Sequence, residues 1–263
     1  MPELAEIKIM SEYINDSCAG EDFTSISVSP EVVRRLSLVQ PSNLQLFSIS
    51  AKARGKELML ILSSGKDQYL ISASMGMSGY WQLADDLSTP KHAHLKFHAV
   101  SGKRLCLVDA RRFARWKWSD GWVSHRGPCP LSEPKEFVQN IVTDLHKRAF
   151  NRPIHIVLMD QRYFNGIGNY LRAEILYRAD QNPFVTAREA ITSNPKILEL
   201  CSQAPFESYL IGGGQLKDWQ NPFNVPSGGF ADWIKCYGKS DDQILDVNGR
   251  TLWYFKSQLN QSS

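Results

Sequence analysis

Apolar residues in the first twenty positions recur at helical spacing. Ile7, Met10 and Ile14 repeat every three or four residues with Tyr13 beside them, while Lys8, Glu12 and Asp16 take the other face. That spacing predicts an amphipathic helix from about Leu4 to Cys18. The rhythm then changes. Short strand-like segments, Asn43–Ser50, Glu57–Leu62, Gln68–Ser74, Tyr80–Leu83, His94–Ala99, Leu105–Val108 and Ala114–Trp118, are separated by turn residues such as Gly65, Gly76, Gly79 and Gly102. No helix alternates with them, so the expected architecture is a β-sandwich with the first helix laid against one end.

The second half reads differently. Gly, Pro and Ser crowd the stretch from Asp120 to Pro134, which marks a linker. Beyond it Phe137, Ile141 and Leu145, supported by Val138 and Val142, form a helical stripe. A second helix is expected from near Pro153 through Asp160. After it the glycine turn Asn165-Gly166-Ile167-Gly168-Asn169 leads into a third helix from Tyr170 to Tyr177. A mobile loop is expected from Ile211 to Gly229, and two short strands at Trp233–Gly238 and Asn248–Tyr254, with Asn248-Gly249 as a tight-turn pair. The expected division is therefore 1–122, a linker at 123–135, a mostly helical domain at 136–230 and a small hairpin at 231–263.

Composition narrows the class. The chain has 263 residues, 43% hydrophobic and 22% charged, as a globular protein of one large or two smaller domains would have. A net charge of +3 means that any surface for a polyanion must be locally concentrated. Five widely spaced cysteines offer no CxxC pair, which argues for a reduced intracellular chain without a structural metal. No apolar run is long enough to span a bilayer, and the first twenty residues do not read as a signal peptide.

Candidate chemistry begins at Met1-Pro2-Glu3-Leu4-Ala5-Glu6. With Met1 trimmed, Pro2 offers a secondary amine that can attack an electrophilic carbon and pass to an iminium ion, with Glu3 and Glu6 placed for proton transfer. The same residues also suit ordinary capping of a helix start. Lys56 sits at the entrance to a strand, and alone would read as a solvated hairpin lysine. Met77 reads equally as a turn-packing methionine. His92 and His94 lack the further ligands a metal needs. Arg111, Arg112, Phe113 and Arg115 form a basic, aromatic stretch that can hold phosphates and wedge between bases, or simply line a surface strand. Asn169 and the turn before it can aim N–H groups at a phosphate; a dinucleotide site is excluded because no strand precedes the turn.

Together these segments resemble the formamidopyrimidine/endonuclease VIII family of DNA glycosylases. The resemblance runs from Met1-Pro2-Glu3 through Arg54-Gly55-Lys56, Asp109-Ala110-Arg111-Arg112-Phe113 and Met159–Leu176 to Arg250, in family order. Ala5 and Ala114 stand where the family usually has proline and glycine. The resemblance implies a helix–two-turn–helix domain and a bifunctional glycosylase and apurinic/apyrimidinic lyase. Such an enzyme excises oxidised pyrimidines, formamidopyrimidines and over-oxidised guanine, then cuts the strand by β,δ-elimination. It assigns catalysis to Pro2, Glu3, Glu6, Lys56 and Arg250, and DNA contacts to Met77, His92, Arg111, Phe113, Asn169 and Arg250. Many bacterial members hold zinc through four cysteines near the C-terminus. Only Cys236 is present there, so the resemblance is to the zincless finger of the animal Nei-like members. No cofactor or metal is implied. The implied partner is damaged duplex or bubble DNA, bound by a monomer, with the nucleus as compartment and no membrane attachment. A protein that binds damaged DNA without cutting it is the alternative.

Overall fold

The structure is a computed structural model, and it describes residues 2–214 and 229–260. The loop expected over 211–229 therefore lies largely outside the described residues, as does Met1. The described residues fall into two compact units. One comprises Pro2, Glu6–Trp122 and Gly214; the other comprises Glu3–Ala5, Val123–Gly213 and residues 229–260.

Helix α1 is Leu4–Ser17, and the first unit holds it from Glu6 onward. Its apolar stripe is fully covered, with Ile7, Met10 and Ile14 at 1% exposure or less. Burying each such side chain stabilises the fold by about 1.5–3 kcal/mol. On the wet face Lys8 pairs with Glu12 at 2.8 Å, which adds little.

Eight antiparallel strands form two four-stranded sheets. The first has the order β1 (Phe23–Val28), β6 (Ala93–Ala99), β7 (Lys103–Val108), β5 (Tyr80–Asp85). The second has the order β2 (Ser48–Arg54), β3 (Glu57–Ser64), β4 (Asp67–Ser74), β8 (Arg115–Ser119). Helix α1 bonds to an edge strand of each. The Leu83 N–H of β5 donates to the Tyr13 hydroxyl at 2.9 Å. Asn15 accepts from the Ala51 N–H of β2 at 2.7 Å and donates to its carbonyl at 3.1 Å. A single side-chain amide thus does for Ala51 what a neighbouring strand would do.

Two expectations are corrected here. Strand β1 was not anticipated, because three of its six residues are polar and only Phe23 is buried. The segment expected at Asn43–Ser50 lies later, at Ser48–Arg54, where pairing with β3 through Arg54↔Glu57 sets the register.

The second unit is helical. It contains α2 (Pro134–Asp144), α3 (Ile154–Val157), α4 (Asn169–Arg178), α5 (Ala187–Ser193), α6 (Lys196–Leu210) and α7 (Gly229–Trp233), followed by a hairpin of β9 (Asp242–Leu245) and β10 (Thr251–Tyr254). Phe137 and Ile141 of α2 enter its core, along with Phe150, Phe164, Ile175 and Ile197. Val138 and Val142 do not: they are 38% and 53% exposed, so the stripe is narrower than the sequence implied. The helix expected from Pro153 to Asp160 is a single turn.

The expected strand at Trp233–Gly238 is also corrected. Trp233 ends α7, and the chain then turns because the buried carboxylate of Glu174 accepts the N–H groups of Lys235, Cys236 and Tyr237 at 2.8–2.9 Å. Amides held in that way have no ladder to join. The first strand of the hairpin is Asp242–Leu245, and Asn248-Gly249 lies in the connecting loop, with Gly249 at φ 70°. Among the described residues no helix is long and apolar enough to cross a membrane.

Candidate active site

Pro2 is buried, and Glu3 is 2% exposed. A buried carboxylate needs donors. Glu3 finds them at the start of α4, where its two oxygens accept from the N–H groups of Tyr170 at 3.0 Å and Leu171 at 3.3 Å. Free N–H groups at a helix start form a natural anion seat. The sequence suggested that this turn offers such groups to a phosphate; here two of them are taken by the chain's own carboxylate.

The glycines of the turn make that seating possible. A Cβ on Gly168 would lie 2.2 Å from the Glu3 carboxyl carbon. A Cβ on Gly166, whose φ is 104°, would lie 2.5–3.0 Å from the Leu4 side chain. The Leu4 N–H also donates to the Gly166 carbonyl at 3.2 Å. Glu6, 1% exposed, accepts from the Gly214 N–H at 2.7 Å.

Asn169, the first residue of α4, reaches the C-terminal hairpin. Its amide donates to the Thr251 carbonyl at 2.9 Å and its oxygen accepts from Arg172. Arg172 is fully buried and pairs at 2.8 Å with Asp246, also fully buried at its side chain. Burial pulls the Arg172 guanidinium below its ordinary value, against the opposing pull of Asp246 and Glu3. Burial would raise the Asp246 carboxyl, but hydrogen bonds from Arg172, Arg250 N–H and Asn248 N–H hold it below its ordinary value. Arg250 itself is exposed at the hairpin tip.

In the first unit Lys56 is half-buried in the two-residue loop between β2 and β3, where Gly55 adopts φ 59°. Met77, Arg111 and Phe113 are exposed, Met77 at 44% and Phe113 at 45%. Their two loops are held together by Asp109, 1% exposed, which accepts from Ser78 Oγ at 2.7 Å, Arg111 N–H at 3.2 Å and Ala114 N–H at 2.7 Å. Gly76, at φ 60°, packs so closely that a Cβ there would fall 2.7 Å from Phe113. The Arg111 guanidinium lies 4.9 Å from the centre of the Phe113 ring. Half-buried His92 joins the same cluster through its carbonyl, which accepts the Asp109 N–H at 2.9 Å. His94 is buried against Ser29.

Thus one unit gathers Met77, His92, Arg111 and Phe113, with Lys56 on the other sheet, and the other unit gathers Glu3, Asn169 and Arg250. Asp109, Gly168, Arg172 and Asp246 escaped the sequence reading as working parts. The Asp that opens the arginine-rich stretch was a visible signal; the other contacts join residues far apart in the chain.

Residues 1–116 match the model of the formamidopyrimidine-DNA glycosylase N-terminal domain. Human endonuclease 8-like 1 is 38% identical over 291 residues, an alignment covering 97% of this chain and 72% of that protein. The chain belongs to the formamidopyrimidine/endonuclease VIII family of DNA glycosylases. Formamidopyrimidine-DNA glycosylase of Marinobacter nauticus is 29% identical across 94% of this chain and 92% of its own length. The fold is that of the MutM (Fpg) protein from Thermus thermophilus, with a TM-score of 0.80, 22% identity and full coverage of both chains. A Lactococcus lactis Fpg variant in complex with Fapy-dG-containing DNA superposes with a TM-score of 0.80 at 20% identity, covering 99% of this chain and 100% of that one.

Zinc, which some relatives in this family hold near the C-terminus, does not fit the residues here. Cys236 is the sole cysteine after Cys201 in the sequence. It is fully buried, and burial, aided by the nearby Glu174 charge, pushes its thiol up to about 12. A four-cysteine zinc site needs three further thiols, which the sequence after Cys201 does not supply. Among the described residues no group of three or more His, Cys, Asp or Glu side chains could hold a metal ion.

Proposed function

We propose that this family member excises oxidised bases from damaged DNA and cuts the strand through a Schiff base formed at Pro2. The observation that carries the reading is the seating of Glu3, directly after Pro2, on the first N–H groups of α4. A carboxylate fixed there has the orientation that a proton-transfer group needs.

The damaged nucleotide leaves the base stack before reaction. The Pro2 nitrogen attacks C1′ of its sugar, and the bond from C1′ to the base breaks, the base departing with a proton. Glu3 takes up the proton that the Pro2 nitrogen loses on attack and delivers it to the ring oxygen as the C1′–O bond opens, leaving an iminium ion on Pro2, while the departing base takes its proton from water. Loss of the C2′ proton then expels the 3′ phosphate, and a second elimination expels the 5′ phosphate. Lys56 and Arg250 hold the phosphates around the reacting sugar, and Glu6 shapes the site. Arg111, Phe113 and Met77 fill the space that the extruded nucleotide vacates, while His92 and Asn169 bind backbone phosphates. Further features of the proposal are a zincless finger at the C-terminal hairpin, a monomeric enzyme, and residence in the nucleus by similarity to the animal relatives.

Borohydride trapping tests the mechanism. Incubation with DNA containing an oxidised pyrimidine should give a reduced covalent adduct whose mass maps to Pro2. An adduct that persists when the Pro2 nitrogen is blocked would sink the proposal, and binding without incision would favour the non-cutting alternative.

A further inference from the structure

We infer that the buried Arg172–Asp246 pair is a positioning device that holds Arg250 and Asn169 in fixed relation for phosphate binding. This rests on the reading of Arg250 and Asn169 as phosphate ligands. Both members have fully buried side chains, 2.8 Å apart. Such a pair seldom adds stability over well-packed apolar residues of similar volume. The guanidinium is not even fully satisfied, since its Nε has no hydrogen-bond partner among the described residues. A group left so needs a reason other than stability.

The connections supply that reason. On one side the Arg172 guanidinium donates to Asn169 Oδ1 and to the Thr251 carbonyl, the second at 3.3 Å. On the other side it donates to Asp246 Oδ2. The remaining Asp246 oxygen accepts the N–H groups of Asn248 at 2.8 Å and Arg250 at 3.0 Å. The Asp246 N–H donates to the Arg250 carbonyl at 2.8 Å. The tip loop is therefore clamped at both ends of its turn by one residue. Its carboxylate is oriented by a guanidinium rooted one turn into α4, next to Asn169. The backbone of exposed Arg250 is referenced to Asp246 through both its N–H and its carbonyl, so losing the pair would let its side chain wander from the phosphate.

The test compares four chains: wild type, Arg250→Ala, the double variant Arg172→Met with Asp246→Leu, and the triple variant. The double variant exchanges the pair for apolar residues and avoids a lone buried charge. Single-turnover cleavage of abasic-site DNA is measured, together with the salt dependence of binding to a duplex carrying a tetrahydrofuran site. Arg250→Ala should slow cleavage roughly ten-fold and lower the salt slope by about one. The double variant should reproduce both effects while melting within a few degrees of wild type, and the triple variant should be no worse than the double. Should the double variant fail to fold, Arg172→Gln paired with Asp246→Asn takes its place, since it keeps polar side chains at both positions and removes both charges together. A paired variant that cuts and binds like wild type overturns the inference, as does an Arg250→Ala effect that multiplies independently upon it. An Arg250→Ala chain indistinguishable from wild type instead removes the phosphate-ligand reading, and this inference with it.

Discussion

The carboxylate of Glu3 occupies the space that a side chain on Gly168 would fill, 2.2 Å from where its Cβ would stand. Gly168 Cα and the Glu3 carboxyl group are thus fitted to one another across a long stretch of sequence. Gly168→Ala is expected to push Glu3 off the Tyr170 and Leu171 N–H groups. A displacement of about 1 Å in a reacting group costs on the order of 100-fold in rate. Single-turnover incision should fall by about that factor, with a far smaller change in DNA affinity. Incision within a few-fold of wild type would show that Glu3 does not need this seat.

Asp109 ties the loop bearing Met77 to the loop bearing Arg111 and Phe113. Asp109→Ala leaves the buried Ala114 N–H without its acceptor, which costs about 1–3 kcal/mol. It also frees the Arg111 loop from Ser78. The expected result is a lower urea midpoint together with weaker discrimination between lesion-containing and undamaged duplex. Unchanged discrimination at reduced stability would reduce Asp109 to a packing role.

Three histidines set the response to mild acid. Burial lowers the values of His94, His98 and His155 in the folded chain, and Arg104 and Lys96 reinforce this at His98. Arg104 donates to His98 Nδ1 at 3.1 Å, so the ring donates from Nε2 to Ser27 Oγ and is neutral. The unfolded chain then binds more protons than the folded one just below pH 6.5, so stability rises with pH across that window. The contribution is complete above the unfolded value and is lost as pH falls below it. Glu21, Asp160, Glu207 and Asp246 have lowered values and fail later, in more acidic solution. Denaturant midpoints should hold between pH 7.5 and about 7 and then fall as pH drops through about 6.5 to 5.5. A flat or rising series would contradict the neutral-histidine assignment.

The thiols should be silent until the chain unfolds. All five cysteines are free and buried. Burial pushes Cys18 and Cys106 up to about 12 and about 11, and Cys201 further still. Because the thiolate is the reactive form, an aromatic disulfide reagent at neutral pH should label the native chain slowly and the denatured chain at all five positions. Chelator treatment should leave both melting and incision unchanged. Loss of either on chelation would mean that the hairpin depends on a metal after all.

What the sequence disclosed and what it hid follow one physical line. Helix α1 was legible because its burial repeats at the helical period, β2 and β8 because a covered face alternates with a wet one, and β3 and β7 because a short continuous apolar run is bounded by turn residues. Strands β1 and β9 break that link: Phe23 alone is buried in β1, and nothing is buried in β9. The apolar run at Trp233–Gly238 misled for the opposite reason. Its amides are claimed by Glu174, some sixty positions away in sequence, and no local pattern announces such a partner. The site shows the same division. Pro2, Glu3 and the arginine-rich stretch stand out as residue types, whereas the Glu3–Gly168 fit and the Arg172–Asp246 pair exist only once the chain has folded.

The paired hydrogen bonds between Asn15 and Ala51 bear on more than the placing of α1. A sheet border left bare invites another chain to dock along it. Shortening the chain from its front would strip that guard from β2 as well as removing the Pro2 amine that we propose as the nucleophile. Such a truncated protein should therefore clump into β-rich aggregates, and an inactive enzyme for comparison is better made by changing single side chains than by cutting the start away.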